Sequence, residues 1–153
     1  MNSSHSAFTI IELVFVIVIL GILGAVAVPK LMAIRKDAHL VTVAQSLSDA
    51  LVEISTYATS KGETKQKLSD MSDALKYLID NGDATENLSG RAIVVHVDDI
   101  SDCVTLKVSS SGLEENLTVI HGNANGNQLC INLQGMTKDN NYNLQLRGAS
   151  IVR

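Results

Sequence analysis

The residues that could do chemistry are spread along the chain without the spacing that catalysis requires. No G-x-S-x-G elbow, H-E-x-x-H helix or P-loop occurs in the 153 residues. The histidines are far apart in sequence: His5, His39, His96 and His121. Each is therefore interpreted as a surface or core residue rather than a general base. The sequence predicts no catalytic residue and no enzyme.

One polar stretch opens like a calcium-binding loop. Asp139, Asn141 and Asn143 alternate as the first ligands of such a loop do. However, Leu144 stands where the sharp turn needs Gly, and Ser150 stands where the bidentate Glu is needed. The stretch fails the motif, so the sequence predicts no metal site and no cofactor.

A small basic group could contact phosphate in nucleic acid or in lipid headgroups. It consists of Lys61, Lys65 and Lys67, but Glu63 lies among them and the chain has a formal net charge of −4. A solvated loop is the favoured interpretation. The overall charge argues against a general nucleic-acid-binding surface.

The stretch from Phe8 to Val28 is the element around which the chain is organised. It is an apolar run of about 21 residues, which as a helix spans roughly 31 Å, the thickness of a bilayer's hydrocarbon core. A lone strand would leave its backbone groups unsatisfied in lipid, so a membrane helix is predicted. Glu12 is the one charged residue in the run. Because an unpaired carboxylate in lipid is costly, Glu12 is expected to have a partner.

This N-terminal block resembles the start of a type IV pilin or type II secretion pseudopilin precursor. The residues that carry the resemblance are Ala7-Phe8-Thr9-Ile10-Ile11-Glu12-Leu13, the apolar run, Gly21 and Pro29. In this family a short hydrophilic leader is cut just before Phe, and the same membrane peptidase methylates the new amine. The resemblance therefore implies processing between Ala7 and Phe8, with residues 1–7 as the leader.

Two features depart from the family pattern. The family has Gly before the cut, where this chain has Ala7, and this difference implies slower processing. The leader contains no Lys or Arg, and a literal positive-inside count of Lys30, Arg35 and Lys36 would place the C-terminal part in the cytoplasm. The motif is given precedence over that count, which places the C-terminal part in the periplasm.

The resemblance also implies an assembly role for Phe8, Glu12, Gly21 and Pro29. In the family, the amine of a neighbouring subunit meets the Glu, so the amine of Phe8 is the expected partner of Glu12. Gly21 and Gly24 permit close helix approach, although glycines merely tolerated in a membrane helix are an equally good interpretation. Pro29 is expected to kink or loosen the helix just before it.

Cys103 and Cys130 are the two cysteines of the chain. In a cytosolic protein a pair this far apart would be interpreted as two unrelated thiols. The export that the resemblance implies favours a disulfide, which would stabilise the fold by roughly 3 to 4 kcal/mol in the chain-entropy model. A zinc site is disfavoured because the histidines lack paired spacing. Since major pseudopilins carry calcium in their late region, the resemblance leaves calcium binding open.

The predicted fold is α+β, with one long N-terminal helix packed on a small antiparallel sheet. Residues 29–60 continue the helix as an amphipathic stem, which is predicted to end near residues 60–62. The apolar positions of the stem recur every three or four residues: Leu40, Val43, Leu47, Leu51, Ile54 and Ala58. Residues 61–90 form a connecting region with a shorter helix from Lys65 to Asn81, followed by Gly82.

From Arg91 onward the hydrophobic period changes to two, and turn residues recur. The predicted strands are Ala92 to Val97, Val104 to Val108, Leu117 to Ile120, Leu129 to Leu133 and Asn143 to Leu146. The short turns between them favour an antiparallel sheet over residues 91–153, the head of the chain, with the disulfide in it.

The favoured function is a structural subunit of a type IV pilus-like filament, inserted in the inner membrane with its head in the periplasm. Its expected partners are further copies of the chain, the prepilin peptidase and N-methyltransferase, an inner-membrane assembly platform and membrane lipid. The first alternative is a type II secretion pseudopilin, but the expected disulfide favours the pilus. The second alternative is a bitopic anchor for a periplasmic ligand-binding domain, which would leave Glu12 and the leader without a role.

Overall fold

The computed structural model describes residues 8–137 and 142–147. The chain divides into two compact units, one up to Ala38 and one from His39 onward. The first helix, α1 (Ile10–Lys61), contributes residues to both units. We describe each unit by itself.

The first unit is the apolar part of α1. The helix runs without a break through Gly21 and Pro29, and no described side chain of this unit is buried. α1 is also the helix in the described chain that is long and apolar enough to cross a membrane, with a mean hydropathy of 2.9 in its most apolar window. The Val residues in this segment do not prevent helix formation.

The second unit begins with the stem part of α1, whose apolar stripe packs on the sheet. All six stem positions named from the sequence are buried, as predicted. Leu47 and Leu51 face Val104, Leu106 and Val119 across a gap too small for a ligand, about 10 Å³. The stripe is buried because residues three and four apart share one helix face.

A 3-10 turn (Leu68–Asp70) and helix α2 (Asp73–Asp80) replace the single helix predicted from Lys65 to Asn81. Ser72 breaks the predicted helix because its hydroxyl accepts a hydrogen bond from the amide of Leu75 as an N-cap. The carboxylate of Glu53 on α1 accepts from the hydroxyl of Ser72 and the amide of Ala74. This contact fixes the start of α2 against the stem.

In the described part of the chain, five antiparallel strands form one sheet in the order β1-β2-β3-β4-β5. The strands are β1 (Ala84–Asn87), β2 (Ala92–Val97), β3 (Ile100–Ser111), β4 (Glu114–His121) and β5 (Tyr142–Arg147). Their buried residues include Ile93, Val95, Val104, Leu106, Leu117 and Val119, which form one core with the stem stripe. The predicted fold class, a long apolar helix packed on a small antiparallel sheet, is confirmed.

Two further elements differ from the sequence prediction. The strand predicted from Leu129 to Leu133 is wrong, since these residues belong to helix α3 (Gln128–Met136). Asn127 caps this helix by accepting from the amide of Cys130, and Cys130 and Leu133 are buried at helical spacing. Strand β1 was not predicted, because its sequence A-T-E-N has low strand propensity and because, among the described strands, it pairs with β2 alone.

Candidate processing and assembly site

Thr9 and Glu12 form a closed pair at the start of α1. The carboxylate Oε2 of Glu12 accepts from the Thr9 amide at 2.9 Å and from the Thr9 hydroxyl at 2.7 Å. In return, the Thr9 hydroxyl oxygen accepts from the amide of Glu12 at 3.3 Å. This reciprocal arrangement is a capping box, which satisfies amides that the first turn of a helix leaves without partners.

Thr9 is a partner of Glu12 that was not predicted from the sequence. The signal was present, because Thr9 and Glu12 have the T-x-x-E spacing of a capping box just before an apolar run. The sequence offers no Lys or Arg before Lys30 to neutralise this carboxylate. Glu12 therefore accepts hydrogen bonds from Thr9, but no Lys or Arg in the apolar part of α1 neutralises its charge.

The other helix residues named as assembly candidates lie on an uncovered surface. A Cβ added at Gly21 or Gly24 would meet nothing within 4 Å. Phe8 is 77% exposed, and Pro29 lies within the continuous helix. Ala7 and the rest of the leader lie outside the described residues. The bend expected at Pro29 stays a prediction.

The head contains the disulfide between Cys103 on β3 and Cys130 on α3, and both cysteines are fully buried. The amide nitrogen of the Gln134 side chain adds to this link by donating to the carbonyls of Cys103 and Gly122, at 2.9 Å each. The disulfide and Gln134 together hold α3 against the end of the sheet where β3 begins and β4 ends.

A second polar cluster lies where the chain leaves the stem helix. The guanidinium of Arg91 donates to the Glu115 carboxylate at 3.0 Å and also to the hydroxyls of Thr64 and Ser110 and the carbonyl of Lys65. The Arg91 and Glu115 side chains are only 16% and 15% exposed. Burial by itself would raise the pKa of Glu115, but hydrogen bonds from Thr64, Arg91 and Ser110 and the positive charge of Arg91 outweigh it and lower the pKa.

The histidines of the described chain take part in separate contacts and do not form a common site. His39 binds Asp83, His96 contacts the carbonyl of Ser101, and His121 contacts the Thr137 hydroxyl. Within residues 8–137 and 142–147, no group of three or more His, Cys, Asp or Glu is arranged to hold a metal ion. Residues 139–141 of the failed calcium-loop motif lie outside the described part.

Residues 2–28 match the family described as the prokaryotic N-terminal methylation motif. The chain carries the N-terminal methylation motif typical of type IV pilins and pseudopilins. This prepilin-type motif precedes a pilin-like fold and implies a structural, non-enzymatic protein. It also implies processing by a prepilin peptidase, assembly into a filament and an inner-membrane precursor. No curated protein and no solved structure matches the chain.

Proposed function

We propose that the chain is a structural subunit of a type IV pilus-like filament, made as an inner-membrane precursor. The observation that carries this proposal is the methylation motif over residues 2–28 together with the uncovered apolar helix that follows it. Residues 1–7 are the leader, residues 8–28 cross the membrane and later pack in the filament, residues 29–60 are the stem, and residues 61–90 connect it to the sheet of residues 91–153. The peptidase cuts between Ala7 and Phe8 and methylates the new amine.

The exposed apolar side chains of the first unit support a role in which lipid covers the helix first and other helices cover it later. Ile11, Phe15 and Leu23 are 77%, 65% and 60% exposed. Burying a side chain of this size is worth about 1.5–3 kcal/mol relative to leaving it in water. Lipid covers these side chains in the precursor, and the helices of other copies cover them in the filament.

Glu12 provides the polar contact that sets the position of each subunit in the filament. Its Oε2 is bonded to Thr9, and in the proposed filament the carboxylate also accepts from the methylated amine of Phe8 of a neighbouring copy. In a filament core of low dielectric constant, this pair compensates the desolvation of both charges. The pair also favours one axial register, because only one offset brings the two groups together.

A type II secretion pseudopilin is the second candidate, since it would use the same motif and the same helix. The buried disulfide between Cys103 and Cys130 favours the pilus subunit, because a disulfide-closed late region is usual among pilins. In either assembly the partners are further copies of this chain, the peptidase, an assembly platform in the inner membrane and the surrounding lipid.

The test compares the chain with its Glu12→Val variant in cells that have the peptidase and lack any other subunit able to form the filament. Mass spectrometry of the mature chain is expected to show an N-methylated Phe8 in both. Glu12→Val is expected to insert and be cut normally but to be missing from sheared or periplasmic filaments, because the incoming amine loses its partner. Ile11→Val, a neighbouring apolar change, is the matched control and is expected to assemble.

Two results would contradict the proposal. An intact Met1 in cells with active peptidase would leave the bitopic anchor as the better interpretation. Normal amounts of Glu12→Val in filaments would remove the pairing role of Glu12 while leaving the processing part of the proposal standing.

A further inference from the structure

His39 on α1 and Asp83 in the turn before β1 make a contact between two distant parts of the second unit. Nε2 of His39 lies 2.8 Å from Oδ1 of Asp83, across 44 residues of sequence. The His39 side chain is 55% exposed, whereas the Asp83 side chain is 16% exposed. The contact therefore joins a surface residue of the stem to a largely buried carboxylate of the connecting region.

Two hydrogen bonds fix the backbone of Asp83. Its amide donates to the carbonyl of Leu78 at the end of α2, and its carbonyl accepts from the amide of His96 on β2, each at 2.9 Å. The other carboxylate oxygen, Oδ2, is buried and has no hydrogen-bond partner in the described chain. Because the Asp83 backbone is tied to α2 and β2, its side chain is a fixed acceptor for a donor on the stem.

His39 stands at the start of the stem stripe. Every described side chain of α1 before it is at least partly exposed, and Leu40 is the first buried side chain, followed by Val43. Among the side-chain hydrogen bonds described for α1, the next ones to a later element are those of Glu53 with Ser72 and Ala74. Between His39 and Glu53, the stem packs on the sheet through buried apolar side chains that include Leu40, Val43 and Leu47.

We propose that the His39–Asp83 contact is a latch on residues 39–44, the first turn of α1 that packs on the sheet. When the latch is closed, Leu40 and Val43 stay on the sheet. When it opens, this one turn lifts from the sheet and its helical hydrogen bonds break, while α2, the strands and the later stem keep their positions. The latch therefore sets the point along α1 at which the helix begins to pack on the sheet. This property is independent of whether the chain forms a filament.

The test is hydrogen exchange on the full-length chain in detergent micelles, followed by mass spectrometry of peptides. His39→Leu removes the donor and keeps an apolar side chain with good helix propensity. It is expected to speed exchange of the amides of residues 43 and 44 about tenfold, since a hydrogen bond to a charged group is lost. His39→Gln, which restores an N–H donor, is expected to recover most of the protection.

Gln45→Ala is the matched control, because it breaks a bond between Gln45 and Asp49 that stays within the exposed face of the same helix. It is expected to leave the exchange of residues 43 and 44 within about twofold of the unchanged chain. Unchanged exchange in His39→Leu would overturn the latch. Faster exchange of Val95 and Leu106 by the same factor would also overturn it, because the contact would then stabilise the whole head and not one turn.

Discussion

Thr9 and Glu12 bond to each other reciprocally at the start of α1, with the Thr9 hydroxyl 2.7 Å from Oε2 of Glu12. The Thr9 amide bonds the same oxygen at 2.9 Å. Both residues lie after the proposed cut before Phe8, so processing leaves the pair intact. A helix that enters lipid with a carboxylate in its first turn benefits from such local donors, because no water is available to solvate the carboxylate.

Thr9→Val should therefore destabilise the precursor in the membrane, because it removes the hydroxyl that bonds Glu12 and caps the helix. The loss of an N-cap alone costs about 1 kcal/mol. We expect a shorter half-life of the membrane-inserted chain in a pulse-chase experiment. Thr9→Ser keeps the hydroxyl and is expected to behave like the unchanged chain.

The double variant Thr9→Val with Glu12→Val separates the two effects. If Thr9 acts by supporting the carboxylate, removing the carboxylate as well should recover most of the lost half-life. An equally short half-life in the double variant would show that the helix cap, and not Glu12, is what Thr9 supports.

The sequence predicted those parts of the fold that depend on local periodicity. The stem stripe from Leu40 to Ala58 is buried as its three- and four-residue spacing indicates. Strand β2 has the predicted bounds Ala92–Val97, because a run of β-branched residues leaves little alternative. Strands β3 and β4 extend beyond their predicted ends, since their outer residues alternate only weakly.

The remaining differences come from contacts between distant residues or from short polar signals. Leu129 to Leu133 alternates like a strand, but the cap from Asn127 and the buried Cys130 and Leu133 favour a helix. The Arg91 cluster joins residues up to 51 positions apart, since the Thr64 hydroxyl donates to the Glu115 carboxylate, and no local pattern reveals such a contact. The candidate site was predicted through its motif at Phe8 and Glu12. The T-x-x-E spacing that marks Thr9 as a helix cap was also in the sequence, but the role of Thr9 was recognised only from the hydrogen bonds.

Gly122 should tolerate no side chain at the junction of β4 and α3. A Cβ at this position would lie 1.9 Å from the carbonyl oxygen of Asp102, and the Gly122 amide is bonded to the carbonyl of Cys103. Gly122→Ala is expected to lower the free energy of unfolding by about 1–3 kcal/mol or more, because backbone must shift to make room. Gly135→Ala, in α3 with nothing within 4 Å, is the control and is expected to be neutral or stabilising in chemical denaturation.

The disulfide should account for a large share of the stability of the head. Cys103→Ser is expected to lower the free energy of unfolding by about 2–5 kcal/mol, the usual cost of losing a disulfide in a small exported domain. Changing Cys130 to Ser as well should cost little more, because both variants remove one bond. Thiol labelling of the unfolded, unreduced chain gives an independent measurement. Two labelled thiols per chain would contradict the disulfide.

Glu115 should make the stability of the head sensitive to acid. Burial would raise its pKa in the folded chain, but the hydrogen bonds from Thr64, Arg91 and Ser110 outweigh that effect and lower the pKa. A Glu in an unfolded chain has a pKa of about 4.3. A group whose pKa is lower in the folded state stabilises that state at pH values above its unfolded pKa. This stabilisation is lost as the pH falls from there through the folded pKa.

Glu115→Gln should therefore lower the free energy of unfolding at pH 7 by about 1–3 kcal/mol, since Arg91 loses a charged partner in a largely buried cluster. Chemical denaturation of the full chain in detergent should show this difference shrinking as the pH falls below about 4. Glu114→Gln, in the exposed neighbouring position of β4, is the control and should change stability little at either pH. A Glu115→Gln difference that stays constant from pH 7 to the acid limit would show that its cost comes from altered packing and not from the charge held by Arg91.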